Sequence, residues 1–252
     1  GRAAAPRRPP RVCRHACDIA RSSNVPNEKA FDLDYFAATY LDDLAEGLYS
    51  SVLSDVLDDA GHRHQVMRPQ IRPLYPGAKV VGRAATMVAI QVSELPPDPY
   101  KLLMDLLDDL RPGEVVVGAV QGESHAALWG ELLSTHTRAK GGRGVVLDAL
   151  TRDSWGIVEM KFPVFATGLS PADSKGRLEV IAIRATIPVG GVSVADGDLV
   201  VADDDGCVVV PAAVEEEVVA RALEKVSGEN AIRDILRRGA SIREVFAEHG
   251  IL

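Results

Sequence analysis

The 252 residues suffice for one domain of ordinary to large size with a full core. An apolar fraction of 46%, a charged fraction of 25% and a formal charge of −8 match soluble globular proteins and exclude a general nucleic-acid or membrane-surface binder. Three cysteines, Cys13, Cys17 and Cys207, cannot build a disulfide framework, and no apolar run is long enough to span a bilayer, which points to a reducing, cytoplasmic setting.

The first seventeen residues, GRAAAPRRPPRVCRHAC, carry arginines and no acid, as a transit segment or a cloning remnant would, but Pro6, Pro9 and Pro10 oppose an amphipathic targeting helix. We expect this arm to be tied to a neighbouring subunit. Cys13, His15 and Cys17 offer soft ligands at close spacing without the fourth that zinc needs.

Asp34 to Gly61 reads as helical, with apolar positions Phe36, Tyr40, Leu44, Leu48, Val52, Val56 and Leu57 and a break at Tyr49-Ser50-Ser51, where a serine can cap the second helix. The acids Asp55, Asp58 and Asp59 then form a solvated face. Pro69 to Pro76 is turn-rich, and Ala78 to Val92 is strand-like, with a bulge expected at Gly82. Leucines 102, 103, 106, 107 and 110 predict an amphipathic helix ended by Pro112-Gly113. Glu114 to Val120 is a buried strand, and His125 follows in a loop, as an ordinary histidine or a proton carrier.

The central unit runs from Trp129 to Asp153: a helix opening on Gly130, a turn at Gly141-Gly142, a buried strand Val145 to Leu150, and the pair Arg152-Asp153 where that strand ends. Such a unit returns two charged side chains to the N-terminus of the preceding helix, where unpaired N–H groups favour an anion. Asp153 is a candidate ligand for Mg²⁺, which takes one or two carboxylates and keeps several waters. Arg152 has the fork geometry for a carboxylate or enolate. A surface ion pair capping a strand explains the same two residues equally well. Glu131, in the first turn, suits the helix dipole in any case, and its functional reading is to hold a water beside the metal.

Phe162 to Gly168, Leu178 to Thr186, Val192 to Val194, Leu199 to Val201 and Cys207 to Val210 read as strands, the last two separated by the Asp203-Asp204-Asp205-Gly206 turn. Cys207 reads as a small core residue. Pro211 starts a helix carrying Val214, Val218, Ala222 and Val226, and a final helical piece follows. The order of elements gives a mixed α/β layer architecture rather than a regular βαβαβα winding.

Six segments in consistent order, LSDVLDDAG from Leu53, IRPLYPGAKVVGRAATM from Ile71, LRPGEVVV from Leu110, the whole central unit, FPVFATG from Phe162 and GDLVVADDDGCVVVP from Gly197, resemble the RraA-like family. That family includes divalent-metal 4-hydroxy-4-methyl-2-oxoglutarate aldolases and regulators of ribonuclease E activity. The resemblance implies a swivelling β/β/α domain with helical N- and C-terminal arms, assembled as a homotrimer or homohexamer with sites between subunits. We expect three parts: residues 1–44, an extension without a counterpart in the family that packs on a neighbouring subunit; residues 45–217, the RraA-like catalytic domain; and residues 218–252, a helical segment. The resemblance places Mg²⁺, or Mn²⁺ or another divalent cation, on Asp153. Arg152 then contacts a keto oxygen, the amides of Leu132 and Leu133 beside Gly130 hold the substrate carboxylate, and Glu131 takes the place of a family aspartate. The family pattern sets an acid after Arg-Asp and two further residues, where this chain has Ser154, Trp155 and then Gly156, and it keeps Asp203 to Asp205 near a subunit interface.

The implied activity is a carbon–carbon lyase: an aldolase that cleaves a 4-hydroxy-2-oxo acid to pyruvate and a carbonyl product and also decarboxylates oxaloacetate. The alternative is a non-catalytic regulator that docks on a ribonuclease or helicase, because a catalytic motif can persist in a binding protein. A methyltransferase reading lacks a glycine-rich nucleotide loop.

Overall fold

Side chains along Val80–Gln91 alternate between two apolar surfaces, and this strand, β2, is the spine of the computed structural model, which describes residues 33–250, with side chains from residue 38. Before β2 lie helices α1 (Leu33–Gly47) and α2 (Ser50–Asp59) and the two-residue strand β1 (Arg72–Pro73). After it run α3 (Lys101–Asp108), β3 (Glu114–Gln121), β4 (Ala127–Trp129), α4 (Glu131–Ala139), β5 (Gly144–Asp148), β6 (Leu150–Thr151), α5 (Ser154–Glu159), β7 (Val164–Ala166) and β8 (Gly168–Leu169). The remaining described elements are β9 (Leu178–Ile183), β10 (Ile187–Val189), β11 (Val192–Val194), β12 (Leu199–Ala202), β13 (Cys207–Val210), α6 (Glu215–Arg237) and α7 (Ile242–His249).

The main sheet has the order β1-β7-β5-β3-β2-β12-β13. Strands β2, β3, β5 and β7 are mutually parallel, so this half is wound through α3, α4 and α5 more regularly than the order of elements suggested. Antiparallel β12 takes the first half of β2, and antiparallel β9 takes the second, at a register shift between Val88 and Ala89. Between them Asp196 Oδ1 accepts from Thr86 N at 3.2 Å, and the Asp198 carbonyl accepts from Ala84 N at 2.8 Å, so the strand stays paired across the split.

The irregularity therefore lies at residues 88 and 89, not at Gly82. A β-carbon at Gly82 would stand 2.5 Å from the Gly113 carbonyl oxygen and 2.7 Å from Val115 Cγ2, so glycine serves close approach there. The expected single strand from Val145 to Leu150 is also two: it leaves the main sheet after Asp148 and resumes as β6 in a separate three-stranded sheet, β4-β6-β8.

Three apolar clusters result. One face of the parallel strands (Met87, Val116, Val145, Leu147) packs on Leu103, Leu106, Trp129 and Ile157; the other (Val88, Val117, Val146, Phe165) meets the β10–β11 hairpin. The third lies outside β12 and β13, where Leu199, Val201, Val208 and Val210 meet Leu41, Leu44 and Leu48 of the first helical stretch, Leu53 and Leu57 of α2, and Val218 and Ala222 of α6. The boundaries at 44/45 and 217/218 thus fall inside helices that share a core with the central domain. The basic arm with Cys13, His15 and Cys17 lies outside the described residues.

Polar ties hold the third layer. Arg83 forks onto Glu215, with Nη2 to Oε1 at 2.8 Å, and Tyr40 donates to the same carboxylate at 3.3 Å. Asp55 meets Lys225 at 2.7 Å, so the acidic face of α2 is partly engaged by α6 rather than wholly solvated. The expected serine cap of α2 is replaced by a remote one: Asp203 accepts from Ser50 N at 2.7 Å and Ser50 Oγ at 2.6 Å. Its turn thus also caps a helix, a role sequence distance conceals. Replacing Asp203 by Ala should lower unfolding free energy by about 1–2 kcal/mol, seen as a lower denaturant midpoint with an unchanged slope.

Candidate functional site

The site is built by the three-stranded sheet. Its strands β4, β6 and β8 are parallel, so their carboxyl ends converge on one edge, bearing Gly130, Arg152-Asp153 and Ser170 in turn. Backbone bonds keep the ends level: Arg152 N donates to the Trp129 carbonyl and Ser170 N to the Thr151 carbonyl, each at 3.0 Å. The buried Trp129 indole donates to Ser134 Oγ at 2.8 Å, and that hydroxyl donates to the Gly130 carbonyl at 3.0 Å, which pins the first turn of α4 to its strand.

Helix α4 begins at an extended Gly130, and its first intrahelical bond runs from Ser134 N to the Gly130 carbonyl. The amides of Glu131, Leu132 and Leu133 precede that bond and point out of the helix end with the positive end of its dipole. A β-carbon at Gly130 would lie 2.8 Å from Asp153 Oδ2 and 3.2 Å from Arg152 Cγ. Both charged side chains therefore stand close beside the residue that opens the helix, and a side chain there would make them shift. Asp153 itself adopts φ 54°, ψ 36°, a left-handed conformation that turns β6 directly into α5. Strain of this kind in a non-glycine residue concentrates at functional sites.

Of the sequence-predicted residues, Gly130, Glu131, Leu132, Leu133, Arg152 and Asp153 come together. Arg152 Nε stands 3.4 Å from Asp153 Oδ2, and both side chains are partly exposed. Glu131 Oε1 accepts from Thr135 Oγ1 at 2.7 Å, and its Cγ lies 2.7 Å from where a β-carbon of residue 156 would be. The position where the family pattern has an acid is thus filled by the stem of Glu131, whose extra methylene needs Gly156 beneath it. His125 is exposed, its carbonyl accepting from Ser170 Oγ. Cys207 is buried, and burial, reinforced by Asp203, pushes its thiol up to about 12, which removes it as a nucleophile.

Sequence reasoning missed Asp173. It lies beyond β8 and meets Arg152 Nη1 at 3.2 Å. Missed too is an apolar rim around the charges: Leu132 is 77% exposed, Trp155 75% and Leu169 58%.

The donors fit one kind of cation. Asp153 offers a partly exposed carboxylate with free lone pairs, and among the described residues no three His, Cys, Asp or Glu side chains gather as a metal cage. A hard divalent ion such as Mg²⁺ or Mn²⁺, resting on one carboxylate and otherwise on water and substrate oxygens, suits that set; a zinc cage does not.

A family model described as RraA-like (aldolase/RraA) matches residues 50–209. Legionella pneumophila DlpA is 28% identical over 196 residues, 77% of this chain, which spans only 31% of that protein's length. A Halalkalibacterium halodurans protein carrying the provisional name 4-hydroxy-4-methyl-2-oxoglutarate aldolase is 29% identical over 72% of this chain and 81% of its own. The crystal structure of Streptomyces coelicolor RraAS2, described as an unusual member of the RNase ES inhibitor RraA protein family, superposes with a TM-score of 0.68 at 29% identity, covering 82% of this chain and 99% of that one. With more than half of its length matched, and with this mixed α/β fold, the chain belongs to the RraA-like (aldolase/RraA) family.

Proposed function

We propose that the chain is a divalent-metal-dependent carbon–carbon lyase that cleaves a 4-hydroxy-2-oxo acid to pyruvate and a carbonyl product and also decarboxylates oxaloacetate. The observation that carries this reading is the close approach of Asp153 and Arg152 to Gly130, the residue on which α4 and its unpaired amides begin. An α-keto acid needs this combination: anion donors for its carboxylate and a positive group at its keto oxygen.

In this reading the amides of Leu132 and Leu133 hold the substrate carboxylate, and Asp153 holds Mg²⁺ or a similar divalent cation. When bound, that ion supplies Lewis acidity toward the enolate that forms as the C3–C4 bond breaks. Arg152 adds a fixed positive charge at the keto oxygen, where negative charge grows. For aldol cleavage the 4-hydroxyl proton must leave as the C3–C4 electron pair moves into the enolate. Glu131, held by Thr135, takes that proton through an intervening water, or an acid of an adjacent subunit does. Protonation at C3 then yields pyruvate. Oxaloacetate follows the same course with carbon dioxide leaving in place of the carbonyl product.

The apolar rim of Leu132, Trp155 and Leu169 supports a homo-oligomer, trimeric or hexameric, that covers the site edge. The ribonuclease-inhibitor description of RraAS2 favours the second reading, a non-catalytic regulator binding a protein partner.

Three measurements test the proposal. Pyruvate release from oxaloacetate and from 4-hydroxy-2-oxo acids should require Mg²⁺ or Mn²⁺, stop with a chelator, and fall by about 10²-fold or more in Asp153→Ala; full activity in that variant overturns the lyase, and silence of the wild type with every substrate favours the regulator. Gly156→Asp should displace Glu131 and cut kcat about tenfold, with recovery when Glu131→Asp is added; equal loss in single and double variants would refute the coupling. Trp155→Asp should lower the assembled mass in sedimentation, whereas an unchanged mass rules out the rim as a subunit contact.

A further inference from the structure

We infer that Asp173 is the positioning residue for Arg152, the third arm of the site, carried by the segment that follows the third strand of the small sheet. The inference rests on the lyase reading for the role of Arg152, but its geometry is independent of it.

Arg152 has a long, flexible side chain and stands more than a third exposed, so its backbone position alone does not fix the guanidinium. Two carboxylates flank it: Asp153 on the Nε side at 3.4 Å and Asp173 on the Nη1 side at 3.2 Å. Asp153 is the candidate cation ligand, and a cation there draws its charge away from the guanidinium. Asp173 is then the partner that remains, and it holds the planar fork at its Nη1 end.

The segment carrying Asp173 is fastened for such a task. Ala127 N donates to the Ala172 carbonyl at 2.9 Å, Ala172 N to Ser170 Oγ at 3.2 Å, and Ser170 Oγ to the His125 carbonyl. On the other side Arg177 Nη1 donates to the Asp173 carbonyl at 3.0 Å, and Arg177 N and Leu178 N donate to the Ser174 carbonyl at 2.8 Å. The loop is thus bonded to β4 and to the approach to β4, the strand that delivers Gly130. Gly130 and Arg152 stand at the carboxyl ends of neighbouring parallel strands, and Asp173 lies in the segment that follows the third.

The contact acts on a charge that grows during reaction, so its loss should appear in kcat more than in KM. The test uses the full-length chain with Asp173→Ala, Asp173→Asn and Asp173→Glu, read by oxaloacetate kinetics, by Mn²⁺ titration, and by calorimetric binding of oxalate, a planar dianion resembling the enolate, to the Mn²⁺-loaded protein. The Ala and Asn variants should lose about tenfold in kcat and about tenfold in oxalate affinity, with KM and Mn²⁺ affinity within about threefold of wild type, and Glu should recover part of both losses. Unchanged kcat and oxalate affinity in Asp173→Ala overturn the inference, as does a loss of Mn²⁺ affinity equal to the loss of kcat, which would place the effect on the cation. A melting transition matching wild type excludes unfolding as the cause. If the wild type binds oxalate with Mn²⁺ but turns over no 2-oxo acid, the lyase reading fails, and the oxalate comparison still decides the role of Asp173.

Discussion

A missing side chain governs the site. At Gly130 the helix start comes so close to Asp153 that an added β-carbon would stand 2.8 Å from its Oδ2. The start of a helix, a carboxylate and a guanidinium share one small space, and a side chain at that point would displace the charged groups. An anionic ligand entering there meets donors already oriented, so little reorganisation is needed. The same economy of space recurs at Gly156, which receives the stem of Glu131.

The larger fold makes that approach rigid. The chain leaves the main sheet at Ala149 and again at Thr167, and Thr167 N donates to the Ala149 carbonyl at 3.0 Å, so the two departures are tied together. Each departing segment forms two residues of a second sheet anchored by the buried Trp129. Strands this short have no stability of their own; they are held because β5 and β7 are buried on both faces. At the opposite margin α1, α2 and α6 cover β12 and β13, and Arg83 and Glu215 couple that layer to β2 through a two-pronged ion pair.

Much of this was legible in the chain. The alternating and continuous apolar runs marked the strands, the Leu102 to Leu110 spacing marked α3, and the order helix, glycine turn, strand, Arg-Asp pointed to the meeting of that charged pair with the start of α4. What was not legible is non-local. Leu150-Thr151 continues the strand-like run from Val145 past a single acid, Asp148, and nothing in two residues says that they pair with β4 instead of β3. Asp203 caps a helix that begins 153 residues earlier, so no local pattern contains both partners. Asp173, in a Ser-Pro-Ala-Asp-Ser stretch, has the look of a solvated turn; its partner is revealed only when β8 lies beside β6. The bulge expected at Gly82 failed because a glycine in a strand signals either a kink or a crowded neighbour, and crowding by Gly113 prevailed.

The distribution of indoles has a practical side. The chain has two tryptophans: Trp129 is sealed in the core, 2% exposed, and Trp155 is 75% exposed on the single chain two residues past Asp153. Their emission therefore differs in what it senses, the shielded Trp129 reporting the integrity of the strand ends and Trp155, by its wavelength and quencher access, reporting whether the rim is open or covered. The protein carries its own optical label where loading with ions or small anions would be felt.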